Sequence, residues 1–294
     1  MRASIQTDAP VRSPAGWHIL GIFLVAAWAG VMGAMFIGSA GTGEALELSA
    51  ADFTGRLPDE ESWLGAYSQG RKLGYVHSRI RAAEDSYEIE QETFLKMRLA
   101  GSSQEITSRF SADLGGDFML KEFNFQFRSA VLSARAEGRM EGKRLVIEAR
   151  IGPEKSRLVL PLDSPPLFDL TVLKLLAARE LKAKERYRFL VFDPQALSNR
   201  PVEIEVVGLE VVKVRKKMEP AVHLRRTLAG QPVDTWIDAR GTVLQEKTAF
   251  GLTLRREDPQ TAQKLPPDGE AGEIDATELL RMLAPAAPEE KEGK

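Results

Sequence analysis

The stretch from Tyr87 to Leu99, YEIEQETFLKMRL, decides the fold. Tyr87, Ile89, Leu95, Met97 and Leu99 fall on one side of an extended chain. Glu88, Glu90, Glu92, Lys96 and Arg98 fall on the other. This period-two alternation is that of an antiparallel strand with one wet face and one buried face. Met119–Arg128 repeats it: Phe123, Phe125 and Phe127 point one way, while Glu122, Asn124, Gln126 and Arg128 point the other.

The same grammar extends from Trp63 to about Arg256. Further strands are predicted over 64–69, 72–80, 104–112, 131–140, 143–151, 156–162, 186–192, 202–215, 220–229, 232–238 and 242–255. Turn signals separate them at Gln69-Gly70, Gly115-Gly116, Glu141-Gly142, Gly152-Pro153 and Asp238-Ala239-Arg240-Gly241. One segment differs. Leu167–Lys184 follows Pro165-Pro166, is rich in Leu and Ala, and is apolar around most of a helical circumference. It predicts a buried helix on the concave side of a curved sheet. Helical and strand periods do not alternate along the chain, which argues against a parallel βαβ architecture. The expected fold is therefore mainly β: a large antiparallel sheet, curled or closed, with one central helix and an N-terminal transmembrane helix.

That last element is read from Trp17–Ile37, an apolar run whose single titratable side chain is His18. About 20 such residues span a bilayer core. Arg2 and Arg12 precede it; Glu44, Glu47 and Asp52 follow it before the first base, Arg56. Basic flanks stay in the cytoplasm, so residues 1–16 are expected inside and the main domain outside, in the periplasm of a two-membrane cell, with residues 17–37 in the inner membrane. A cleaved signal peptide ending near Gly38-Ser39-Ala40 is the other reading, although its apolar core is normally shorter, about 7–15 residues. Either delivers the same exported domain.

Residues 38–60 read as a linker and 61–257 as the exported β domain. Residues 258–294 are polar and Pro-containing, and read as a largely disordered tail. A short helix is expected at 275–284, where Asp275 and Glu278 form a capping-box-like pair and Ile274 and Leu279 a hydrophobic staple.

The chain has no cysteine, which excludes disulfides, thiol catalysis and a lipid-modified N-terminal Cys. A net charge of −2 gives no reason to expect nucleic-acid binding, which shows a basic face. No cofactor or metal constellation is read: His77 and His223 lie singly in predicted strands, and no nucleophile elbow, P-loop or dinucleotide fingerprint occurs. Strand carboxylates read as solvated outer-face charge, with Asp234 and Asp238 beside Trp236 as a weak acidic patch.

Two groups of residues remain as a ligand or partner surface. The Phe123, Phe125 and Phe127 stripe reads by default as core, and alternatively as the wall of an acyl-chain site. Lys213, Arg215, Lys216 and Lys217 lie on a predicted hairpin, with Arg225-Arg226 and Arg255-Arg256 near in pattern. By default they guard strand ends against aggregation; alternatively they meet anionic headgroups or an acidic partner.

Trp63-Leu64-Gly65-Ala66-Tyr67-Ser68-Gln69-Gly70-Arg71-Lys72-Leu73-Gly74-Tyr75 resembles the opening hairpin, W-x-G-x-Y-x-x-G-x-K-x-G-Y, of an exported bacterial β domain that precedes transglutaminase-like cysteine protease domains. Phe192-Asp193-Pro194 with Val206–Glu210, and Trp236-Ile237-Asp238-Ala239-Arg240-Gly241, also look like it, so the likeness spans about 63–256. The resemblance implies that the large curved antiparallel sheet is half-barrel-like, similar to the half-barrels of lipoprotein carriers. It carries no catalytic residue, since that chemistry needs a nucleophilic Cys and this chain has none. The leading expectation is a membrane-anchored, exported, non-enzymatic β domain that binds a cell-envelope partner. The alternative is a lipid or lipoprotein carrier with an apolar cavity. A hydrolase would need His77 or His223 in a cleft beside a carboxylate and a hydroxyl.

Overall fold

The computed structural model describes residues 45–49, 52, 56–99, 102–130, 132–162, 167–193, 198–228, 231–248, 251–265 and 267. The expected membrane span over 17–37 and the helix near 275–284 lie outside these residues. Among those described, no helix is long and apolar enough to cross a membrane.

Fifteen strands form one sheet: β1 (Leu46–Glu47), β2 (Glu60–Ser68), β3 (Arg71–Ala83), β4 (Ser86–Leu99), β5 (Ser102–Gly115), β6 (Leu120–Arg128), β7 (Ser133–Glu141), β8 (Arg144–Ile151), β9 (Glu154–Pro161), β10 (Arg186–Asp193), β11 (Ser198–Val214), β12 (Lys217–Leu228), β13 (Gln231–Ile237), β14 (Val243–Thr248) and β15 (Leu252–Arg256). The spatial order is β1-β10-β11-β12-β13-β14-β15-β2-β3-β4-β5-β6-β7-β8-β9. All neighbours are antiparallel except β1 with β10. The sheet is not closed; its edges among the described residues are β1 and β9.

Hairpin turns set the registers. Gln69 and Gly70 both take positive φ (49° and 80°), the pairing of a type I′ turn, whose twist matches that of the flanking strands. The β4 alternation is realised as read: Tyr87, Ile89 and Met97 are buried and Leu95 packs against the core. The predicted strand over 242–255 is two strands, β14 and β15.

The inner face carries the main core. Helix α1 (Asp169–Ala177) lies inside the curve, with Thr171, Val172, Leu173, Leu175 and Leu176 buried. It is half the length that the apolar run of Leu167–Lys184 suggests. The helix ends before the charged residues Arg179, Glu180, Lys182 and Lys184, which stay exposed; burying unpaired charge is costly. The last turn tightens instead, with Arg179 N–H donating to Leu176 O. One charge does stay inside: Lys174 donates to Glu60 on β2 and, at 2.9 Å, to Thr242 Oγ1, which ties α1 to two distant parts of the sheet.

Both predicted domain ends need correction. Leu46–Glu47 of the expected linker adds to the sheet as β1, and Leu48 and Leu57 are buried in the core. At the other end Asp258 caps α2 (Pro259–Gln263), accepting from Thr261 N–H at 2.8 Å, and Ala262 is fully buried. Glu257 holds this end to the β2–β3 hairpin through Tyr67 Oη and Lys72 Nζ. The flanks read as linker and as disordered tail because each contributes only one or two apolar side chains to the core, too few to show a period.

Candidate functional site

Phe123, Phe125 and Phe127 are all buried. The Phe123 ring lies 5.1 Å from Phe192, and Phe168, at the start of α1, lies 5.2 Å from Phe110 and 6.0 Å from Phe192. The stripe packs into the core beside the rings of Phe110, Phe168 and Phe192 of the same chain.

Lys213, Arg215, Lys216 and Lys217 are exposed and sit together at the closed end of the β11–β12 hairpin. The pattern neighbour Arg226 does not join them. It faces the core and is 2% exposed, with Nε donating to Thr235 Oγ1 at 3.0 Å and Nη2 to Glu246. Arg225, one residue earlier, faces outward and pairs with Asp234 at 3.0 Å. Adjacent residues of a strand face opposite sides.

The outer face carries two matching clusters. On β2–β3, Trp63 is the direct cross-strand partner of His77, and the rings stack at 3.9 Å and 14°. Glu61 accepts from His77 Nε2 at 2.7 Å and from Trp63 Nε1 at 3.3 Å. On β12–β13, His223 is the cross-strand partner of Trp236, stacked at 4.4 Å and 15°. Its Nδ1 meets Glu210 Oε1 at 2.8 Å and its Nε2 meets Asp234 Oδ1 at 3.0 Å, while Trp236 Nε1 donates to Glu210 Oε2 at 2.7 Å. The pairing leaves a trace in the sequence: Trp236 and His223 are equidistant from Ala229-Gly230. Reading each histidine singly misses it.

Chemically, the β12–β13 cluster ties strands together through both nitrogens of its histidine. His223 donates to both carboxylates only as an imidazolium, and neither ring nitrogen is left for a substrate. The carboxylates sit on opposite nitrogens and do not converge, and no set of three His, Asp or Glu groups among the described residues could hold a metal ion. Asp238 does not share a patch with Asp234. It lies in the turn after β13, where its Oδ1 accepts from Arg240 and Thr242 N–H, each at 2.9 Å.

The Trp236 indole, and then His223, hold the Glu210 carboxyl below the usual glutamate range. Burial pushes Asp234 up, but hydrogen bonds from Arg225 and His223 outweigh it, and the carboxyl is held low. A carboxylate whose pKa is lower folded than unfolded contributes stability above the unfolded value, which is lost as pH falls through the folded one. Wild-type Tm is therefore expected to fall as pH drops from about 5 toward 3. The Glu210→Gln/Asp234→Asn variant should show a shallower acid limb, read from thermal melts across that range; an unchanged limb would rule out this cluster as its source.

A third feature is a groove of about 380 Å³ across β4–β8, lined by Glu88, Asp113, Glu122, Glu137, Glu148 and Arg139. Register puts Glu88, Asp113, Glu122 and Arg139 in one cross-strand row. Glu88 and Glu137 already meet Arg81 and Arg135 at 3.5 and 2.6 Å. Asn124 also lines the groove, and its Oδ1 is buried with no hydrogen-bond partner.

The class these observations define is a barrel-like, incompletely closed antiparallel sheet plugged by its own helix. Among solved structures the chain is similar to a β-barrel-like protein of the domain of unknown function DUF1849 from Brucella abortus, at 11% identity and TM-score 0.50, over 69% of this chain and 96% of that one. That likeness extends to the fold alone. A DUF1089 family protein from Pseudomonas aeruginosa also aligns, at 17% identity and TM-score 0.32, over 57% of this chain and 87% of that one. No family model and no curated protein matches the chain.

Proposed function

We propose that this chain is a non-enzymatic β domain, held on the outer side of a membrane by residues 17–37, that works by binding a cell-envelope partner on the outer face of its sheet. The observation that supports this reading is the packed core among the described residues. Helix α1 and the rings of Phe110, Phe123, Phe168 and Phe192 occupy the concave side, so recognition falls to the outside. The carrier alternative would need open apolar space beside those side chains.

On the outer face, the β4–β8 groove supports a partner segment bearing Lys or Arg. Its carboxylates attract cations. The resemblance of the 63–75 hairpin supports a transglutaminase-like enzyme or a polysaccharide-processing assembly as the source of that segment. The test is recovery of partners with the tagged full chain from mildly solubilised membranes. Wild type should return one envelope protein reproducibly, and Glu122→Lys/Glu148→Lys should reduce its yield about tenfold or more, because like charges placed together disfavour association. Equal recovery by both, or no reproducible envelope protein, would defeat the proposal.

A further inference from the structure

The β11–β12 hairpin has two unlike faces past the register shift between Val206 and Gly208. On one, Val212, Val214 and Ala221 pack with Trp236 and Leu244 in a small second core. That packing braces the hairpin end against β13 and β14. On the other, Leu209 is 83% exposed, Val211 61% and Met218 64%. Register makes these a contiguous patch: Leu209 pairs with Val222, Val211 with Pro220, and Lys213 with Met218. The hairpin's carboxylates, Glu210 and Glu219, lie on the braced face by strand alternation. Lys213, Arg215, Lys216 and Lys217 crowd the closed end.

A braced apolar surface ending in a basic cluster, with its acids turned away, is a combination that suits a lipid interface. Apolar side chains enter the acyl boundary, and Lys and Arg meet anionic headgroups. A solvent-only role accounts for the bases as edge guards, but it leaves the large apolar side chains between the strands uncovered.

Topology adds a second argument. β1 runs parallel to β10, with Leu46 level with Tyr187, and Arg186 is level with Glu205 of β11. The chain therefore enters β1 at the end of the sheet beyond which β11 and β12 project as the hairpin. The segment that carries the apolar run 17–37 and the hairpin meet the sheet at that same end.

We propose that the end of the β11–β12 hairpin is a docking element that seats Leu209, Val211 and Met218 in an anionic phospholipid surface. This deepens the membrane attachment in the functional reading and rests on it. Docking at this end would fix how the domain stands on the bilayer, rather than leave it free on its tether.

The absence of cysteine allows a direct test with the full chain. Val211→Cys carries an environment-sensitive fluorophore, Arg139→Cys on β7 serves as reference, and each is reconstituted into phosphatidylcholine vesicles with or without phosphatidylglycerol. The expected result is a blue shift at position 211 in the anionic vesicles, weakened by high salt, with none at position 139. Replacing Lys213, Arg215, Lys216 and Lys217 together by Gln should abolish the shift while near-UV circular dichroism stays unchanged. Water-like emission at 211 in anionic vesicles would overturn the proposal, as would a blue shift that survives the Gln variant. A shift that requires added envelope protein rather than lipid would overturn it in favour of a protein occupant. Flotation separates the two layers of the reading. A chain that floats with pure phosphatidylcholine vesicles but keeps position 211 in water is attached without docking; one that does not float with them overturns the attachment.

Discussion

Replacing Arg226 by Ala is expected to destabilise the domain by about 3–5 kcal/mol, the range for removing one partner of a buried ion pair. Arg226 is 2% exposed and faces the core from β12. Its guanidinium donates to Thr235 on β13 and to Glu246 on β14, so one side chain links three consecutive strands from inside. Truncation takes the guanidinium away from the largely buried Glu246 carboxylate, and the cost of burying that charge with poorer compensation dominates the lost contact. The double variant Arg226→Met/Glu246→Leu removes both charges and should recover most of the loss, because the desolvation penalty disappears with them. Urea unfolding of the full chain in mild detergent, followed by tryptophan fluorescence, measures all three proteins. A single variant within about 1 kcal/mol of wild type, typical of exposed pairs, would show that the pair is not sealed from solvent.

Gly241→Ala should be the most disruptive small substitution at a turn. Gly241 has φ +73°, a region that costs an L-residue about 1–2 kcal/mol. A Cβ there would also lie 2.4 Å from the carbonyl oxygen of Leu173 and 2.9 Å from Lys174 Cα. Those are backbone atoms of α1, which can yield only if the helix moves. Displacement would strain the Lys174 bonds to Glu60 and Thr242 and loosen the core around Leu173, adding about 1–3 kcal/mol of overpacking. Gly142→Ala is the control. Its φ is +62°, but nothing lies within 4 Å of the added methyl, so only the backbone cost applies. Thermal melts should place Gly241→Ala well below Gly142→Ala; equal Tm values would mean that α1 does not bear on the 238–241 turn.

The two glycines show where local reading stops. Both occupy predicted turns, and chain-local reasoning cannot separate them, because what distinguishes Gly241 is a helix some seventy residues away in the chain. The same limit applies to Arg225-Arg226. They read as a basic pair, yet strand geometry sends one outward to Asp234 and the other inward to Glu246. Phe123, Phe125 and Phe127 were assignable to one face from spacing, but only the position of α1 and Phe168 makes that face the core. His77 and His223 were legible as strand residues. Their stacking on Trp63 and Trp236 follows from hairpin register: equal distances to the turn encode it for His223 and Trp236, whereas the register shift between Ala66 and Tyr67 offsets Trp63 and His77 by one residue and hides their pairing from local counting.

The sequence by itself determined the strands, most turns, the antiparallel class, the apolar run at 17–37 and the lack of thiol chemistry. Each of these rests on a local cause: side-chain alternation, the φ preferences of turn residues, or the kinds of residue present. Only the tertiary structure decided that the sheet packs its core around its own helix, that β1 and α2 belong to the domain, and that the β11–β12 hairpin exposes Leu209, Val211 and Met218 on one face and packs a small core on the other. Those outcomes depend on which surfaces meet across long chain separations, and burial is a property of the meeting, not of either segment alone.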